Sequence, residues 1–219
     1  AHPTILAHQN VKNVLVIGGG DGGTVREVLK HQNVERVTMV EIDEEVINAS
    51  KEHLPTISSE LNNPKLNLLI EDGIKFVAAA TPNSYDLIIV DGSDPVGPAK
   101  GLFTNEFYQN CYNALNDNGV LVAQGESPMF NSKVFVELNH CLKSIFNVNK
   151  VDTMLFYVPT YPTGMWSFQI AAKGGVNVKE GLDNSADEFI ANSNLNYYNK
   201  NIHQAAFALP NFVEKLLAQ

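Results

Sequence analysis

Short apolar runs alternate with amphipathic stretches over the first 145 residues of this chain. Val11 to Ile17 reads as a strand, then come glycines and a helix over Thr24 to His31. Val34 to Glu41 is the second strand and Glu44 to Leu54 the second helix. Leu66 to Ile70 with Gly73 to Ala80, and Leu87 to Val90 with Asn105 to Leu115, repeat the unit. Gly119 to Gln124 is a fifth strand, and Ser132 to Ile145 a fifth helix with one apolar face. Tyr85-Asp86-Leu87-Ile88-Ile89-Val90 is almost continuously apolar, as in a strand covered on both faces. Strands alternating with helices predict an α/β fold with a mostly parallel sheet and helices on both sides. The tail differs. Val148 to Val158 and Met165 to Ala172 are β-rich runs bracketing Pro159-Thr160-Tyr161-Pro162-Thr163-Gly164, which predicts an antiparallel pair. A last helix is expected from His203 to Leu217, interrupted at Pro210. No repeat, linker or second boundary appears, so residues 1–219 read as a single domain.

Composition narrows the function only a little. Hydrophobic residues make up 44% and charged residues 18%, the balance of a soluble globular chain. No apolar run approaches the ~20 residues of a membrane span. Ala1-His2-Pro3-Thr4 lacks the basic and long apolar regions of a secretory signal, so a cytoplasmic location is expected. The net charge of −9 argues against nucleic acid, whose binding rests on Lys and Arg. Cys111 and Cys141 have no metal-ligand spacing and read as inert core thiols; no metal site is expected.

The candidate chemistry lies at the predicted strand ends. Gly18-Gly19-Gly20-Asp21-Gly22-Gly23 follows the first strand and opens a helix, with G-x-G-x-x-G spacing at Gly18, Gly20 and Gly23. Glu41 closes the second strand 20 residues after Asp21, where a carboxylate can accept both hydroxyls of a ribose. Together they point to an adenosyl ligand. Asp21 makes the loop selective, because a fixed anion there repels a pyrophosphate and, less strongly, the carboxylate of S-adenosylmethionine. A cationic tail without a carboxylate suits it better. Asp72, in Glu71-Asp72-Gly73 at the third strand end, faces an adenine amino group in this topology; it is equally a helix N-cap. Asp91 and Asp94 emerge after the fourth strand in Asp91-Gly92-Ser93-Asp94-Pro95-Val96-Gly97-Pro98, held irregular by its glycines and prolines. An isolated Asp-x-x-Asp-Pro is as well explained by a capped turn; the glycine loop upstream favours a site.

With these residues in place, the chain resembles the polyamine aminopropyltransferases, most closely bacterial spermidine synthases. The resemblance rests on Gly18 to Gly23, Val40-Glu41-Ile42-Asp43, Glu71-Asp72-Gly73, Asp91 to Pro98, Leu102-Phe103, Gln124-Gly125-Glu126-Ser127-Pro128, Pro159-Thr160-Tyr161-Pro162, Tyr197-Tyr198-Asn199 and His203 to Pro210. It implies a Rossmann-like fold of the S-adenosylmethionine-dependent methyltransferase type, with an antiparallel last strand. It implies transfer of an aminopropyl group from decarboxylated S-adenosylmethionine, a co-substrate, to putrescine, giving spermidine and methylthioadenosine. Carried over by position, Gly18, Gly20, Asp21, Glu41, Asp72, Gly73 and Pro98 would surround the nucleoside, with Pro98 on the adenine side. Asp91 would accept the proton; Asp21 and Asp94 would hold cationic amines; Gln124 and Tyr161 would line the amine channel. The family's small N-terminal β-rich domain is expected to be missing here, and with it one wall of the amine site. A homodimer or homotetramer is expected.

The chemistry explains the residue types. A sulfonium leaves without acid assistance, so the difficulty is the nucleophile, an amine with a pKa of about 10 that is almost wholly protonated at neutral pH. A carboxylate that takes the proton is worth ~10²–10⁴ in rate. Asp91, at the strand end, is the better base; Asp94 would anchor charge. Tyr161 has an alternative role as an aromatic covering the core, Trp166 reads as packing, and His31 and His203 read as structural or surface residues. Two other readings compete: a polyamine N-methyltransferase using S-adenosylmethionine, which would have to place a carboxylate beside Asp21, and a non-catalytic adenosyl-ligand-binding module. A nicotinamide dehydrogenase is third, with no catalytic His or Tyr-Lys pair near the strand ends.

Overall fold

A computed structural model describes residues 1–219, the side chain of Pro98 excepted. Seven strands form one sheet: β1 (Asn13–Gly18), β2 (Arg36–Glu41), β3 (Leu66–Ile70), β4 (Tyr85–Asp91), β5 (Leu115–Gln124), β6 (Val151–Tyr157) and β7 (Met165–Ala172), in the order β3-β2-β1-β4-β5-β7-β6. The first five run parallel, and β7 lies antiparallel between β5 and β6. The expected mixed sheet and its antiparallel tail are therefore present. The order reverses at β1/β4, the place where such sheets open a crevice beyond their carboxyl ends.

The described residues form nine α-helices: α1 (His2–His8), α2 (Gly23–Leu29), α3 (Glu44–His53), α4 (Gly73–Ala78), α5 (Asn105–Ala114), α6 (Ser132–Phe146), α7 (Ser185–Asn192), α8 (Lys200–Ala206) and α9 (Asn211–Leu217). The central strands are buried on both sides. Val14, Val16, Leu87 and Ile89 join one core, while Leu15, Ile17, Ile88 and Val90 join the other. That alternation is why β1 and β4 read as apolar throughout. Asp43 caps α3 by accepting from the Glu45 amide at 2.9 Å, and Thr104 caps α5 by accepting from Phe107 at 3.2 Å.

Several sequence boundaries are corrected. The helix read as Thr24 to His31 ends at Leu29, and α4 stops at Ala78, not Ala80. β2 begins at Arg36 rather than Val34, and β5 reaches back to Leu115. Residues 148–150 form a 3-10 turn before β6 begins. The C-terminal helix is two helices, starting at Lys200 and broken across Phe207 to Pro210, because Pro210 has no amide to continue the ladder. Two helices were not read: α1 and α7. They meet through His31, which is buried, with its Nε2 2.9 Å from His2 Nδ1 and its ring stacked on Phe189 at 4.0 Å. His31 and His203 are thus core residues rather than surface ones. His203 donates Nε2–H to the Lys179 carbonyl (3.2 Å), and its Nδ1 accepts from the Tyr198 hydroxyl (2.8 Å). Cys111 is buried and Cys141 half-buried; burial pushes both thiols up, Cys141 to about 11, so neither is a ready nucleophile. Among the described residues no helix is long and apolar enough to cross a membrane, and no cluster of three His, Cys, Asp or Glu can hold a metal ion.

Candidate active site

The strands deliver their terminal residues to one edge because their registers are aligned. Gly18 pairs with Asp91, Glu41 with Ile70, and Val90 with Ala123. The next residues out are the glycine loop, Asp72 and Gln124. They wall a cleft of about 960 Å³ that also includes Ile42, Asp94, Leu102, Tyr161 and Trp166. Gly18, Gly20, Asp21, Glu41, Asp72, Gly73, Asp91, Asp94, Gln124 and Tyr161 all line it. Each of those sequence candidates is thereby brought to one place. Pro98 is the exception. Its backbone lies in a 3-10 segment, Gly97–Phe103, and its side chain is outside the described residues.

The glycine loop is locked to β4. Gly18 has φ +82°, and a Cβ there would lie 2.3 Å from the Asp91 carbonyl oxygen. The Gly19 amide donates to that same oxygen at 2.9 Å. At Gly20 a Cβ would sit 3.0 Å from Glu41 Oε2, so the bare backbone lets the loop and Glu41 face each other across the ligand space. Glu41 is steadied by the Asp43 amide, which donates to Oε1 at 3.0 Å. Asp21 accepts from the Gly23 amide at 2.8 Å and stays exposed. Asp72 accepts from Ile74 (2.9 Å) and Lys75 (3.4 Å) through Oδ1, which makes it the N-cap of α4 while Oδ2 is left outside that cap. Gly73 packs where a Cβ would meet Ile17 at 2.5 Å.

Asp91 and Asp94 differ in how they are held. Asp91 ends β4, and its Oδ2 accepts from the Thr24 hydroxyl at 2.6 Å. Burial pushes its carboxyl up, the Thr24 hydrogen bond pulls it back, and the nearby Asp21 charge raises it further. Asp94 is exposed on the loop that follows.

Across from Asp94 stands a residue to which the sequence reading gave no role. Glu126 is fully buried, has φ +66°, and accepts from Asn131 Nδ2 at 2.6 Å through Oε2. Among the described residues its Oε1 has no partner; burial pushes its carboxyl up, the Asn131 hydrogen bond pulls it back, and the nearby Asp94 charge raises it further. Ser167 fastens the turn by donating to the Glu126 carbonyl at 2.8 Å. Two facing carboxylates with an unpartnered oxygen are complementary to a cation. The sequence signals for Glu126 were its place in the block Gln124 to Pro128 that carries the resemblance and its position two residues past the end of β5.

Tyr161, in the β6–β7 turn, is 43% exposed and packs edge-on against Trp166 with centroids 4.7 Å apart. It lines the cleft instead of sealing the core. Trp166 is buried, as its packing role required, yet it also reaches the cleft, and among the described residues its indole N–H has no partner. Asp21 and Asp91 also face a second cavity of about 420 Å³ on the far side, bounded by Phe156, Phe168 and Tyr198.

Residues 1–180 match the spermine/spermidine synthase domain. A polyamine aminopropyltransferase of Caldicellulosiruptor saccharolyticus is 46% identical over 99% of this chain and 75% of its own length. One from Methanocaldococcus jannaschii is 46% identical over 98% of this chain and 72% of its own. Among solved structures, a spermidine synthase in complex with the transition-state analogue AdoDATO superposes with a TM-score of 0.94 at 40% identity, covering 100% of this chain and 73% of that one. The spermidine synthase of Thermotoga maritima gives a TM-score of 0.91 at 40% identity, over 100% of this chain and 72% of that one. The chain belongs to the spermine/spermidine synthase family, the polyamine aminopropyltransferases.

Proposed function

We propose that this chain is a spermidine synthase that moves an aminopropyl group from decarboxylated S-adenosylmethionine to putrescine. The observation that carries the reading is the gathering of carboxylates: Glu41, Asp72, Asp21, Asp91 and Asp94 all line the one cleft, with Glu126 buried near Asp94. Glu41 holds the ribose hydroxyls and Asp72 the adenine amino group. Gly18, Gly20 and Gly73 allow the nucleoside close to the backbone. Asp21 takes the ammonium of the aminopropyl arm. Putrescine lies past Gln124 and Tyr161, with its far ammonium between Asp94 and Glu126. The near amine gives its proton to Asp91, its lone pair bonds to the methylene carbon, and the carbon–sulfur bond breaks with its electrons returning to sulfur. The products are spermidine, methylthioadenosine and a protonated Asp91. We place the enzyme in the cytoplasm as a homodimer or homotetramer.

The donor is tested by calorimetric titration. Decarboxylated S-adenosylmethionine and methylthioadenosine should bind tighter than S-adenosylmethionine, by ~10-fold or more, because only the last brings a carboxylate toward Asp21. Equal or tighter binding of S-adenosylmethionine would favour the methyltransferase alternative. The same titration checks the ribose contact. Glu41→Gln should weaken every adenosyl ligand by ~1.5–3 kcal/mol, since a charged acceptor of two hydroxyls becomes a neutral one. An unchanged Kd takes Glu41 out of the site.

A further inference from the structure

We propose that Thr24 is a positioning residue for this reaction: its hydroxyl fixes Oδ2 of Asp91 so that Oδ1 is the oxygen presented to the attacking amine. The inference rests on Asp91 being the proton acceptor. Thr24 is the second residue of α2, and a threonine there has local carbonyls to bond. Instead its hydroxyl spans 67 residues of sequence to reach Asp91 at 2.6 Å, a distance typical of a charge-assisted bond. The glycine loop leaves room for the same oxygen, since a Cβ on Gly19 would stand 3.0 Å from Oδ2 and 3.6 Å from the Asp91 Cβ. Oδ2 is therefore held by the hydroxyl in a space that a bare residue 19 keeps open. Among the described residues no side-chain or amide donor reaches Oδ1, and Asp91 lines both cavities.

One donor on one oxygen does two things. It removes rotation about χ2, so a single lone pair is aimed at the amine before it arrives. It also favours the ionised carboxylate, which burial and Asp21 oppose. The amino group of Ala1 favours the ionised form. The other charged or titratable side chains on the two cavities are, tyrosines aside, His2, Arg26, Glu27 and His203 on one and Glu41, Asp43, Asp72 and Asp94 on the other. Thr24 is the hydrogen-bonding partner of Asp91, and it is neutral, so it orients the base without competing for its proton.

The test uses the whole chain and compares Thr24→Val, Thr24→Ser and Asp91→Asn. The carboxyl ¹³C resonance of Asp91, assigned by its loss in Asp91→Asn, is titrated without substrate, and kcat is followed against pH. Thr24→Val, nearly the same shape, should raise the Asp91 midpoint by about one unit. It should move the acid limb of kcat upward with it and lower kcat at neutral pH by ~10-fold with little change in the KM of the donor. Thr24→Ser, which keeps the hydroxyl, should titrate and turn over close to the parent. An unmoved midpoint with unchanged kcat in Thr24→Val, while Asp91→Asn is inactive, overturns the role of Thr24 alone. Equal effects of Val and Ser overturn it too, by making the position one of packing. Parent-level turnover in Asp91→Asn overturns the base assignment itself.

Discussion

Asp91→Asn lowers kcat by ~10²-fold or more, with a smaller effect on binding of the adenosyl ligand. Asn has the size of Asp and can accept the Thr24 hydrogen bond, but it cannot take the proton of an ammonium group. Raising the pH restores part of the rate, as free amine becomes available without a base. In the parent enzyme the acid limb of kcat should be displaced upward from that of a free carboxylate, because burial, opposed by the Thr24 hydrogen bond and reinforced by Asp21, pushes Asp91 up. The sign follows directly: the base works only when ionised, so activity falls as pH drops through that raised value. Asp94→Asn acts differently. It sits on an exposed loop opposite Glu126, so it should raise the KM for the amine and leave kcat less affected. A collapse of kcat in Asp94→Asn with normal turnover in Asp91→Asn would exchange the two roles.

The second large effect is on stability. Gly18→Ala should destabilise the fold by ~2–4 kcal/mol or more, seen as a lower denaturation midpoint. Its φ of +82° disfavours any side chain, and the new Cβ would lie 2.3 Å from one backbone atom of Asp91 and 3.0 Å from another. Neither belongs to a flexible side chain that can swing away. Relief requires β1 and β4 to part at their carboxyl ends, which would also misplace Asp91. Gly175→Ala is the control, since a Cβ there meets nothing within 4 Å. Equal stability of the two variants would mean that the glycine loop is not locked to β4.

Legibility in the sequence followed the range of the interaction. The apolar runs of β1 and β4 and the positions of Glu41, Asp72 and Asp91 were readable because strand ends are local and the fold sends them to one edge. The identity of the β6–β7 pair was readable for the same reason, from the prolines and Gly164 between two β-rich runs. What escaped depends on the tertiary structure. Glu126 comes near Asp94 through the tertiary fold, from a left-handed position that is not glycine. The Thr24–Asp91 bond joins α2 to β4, and no spacing rule anticipates it. α1 is a 7-residue helix whose stability comes from burying Ile5 and Leu6 and from the His2–His31 contact rather than from its own periodicity.

The most direct measurement is product analysis by mass spectrometry after incubating the purified chain with putrescine and either donor. With decarboxylated S-adenosylmethionine, spermidine and methylthioadenosine should accumulate in equal amounts, and Asp91→Asn should slow the formation of both by ~10²-fold or more. With S-adenosylmethionine, neither a methylated amine nor S-adenosylhomocysteine should form. Methylated putrescine with S-adenosylhomocysteine, and no spermidine from the decarboxylated donor, would contradict the aminopropyl transfer proposed for this cleft.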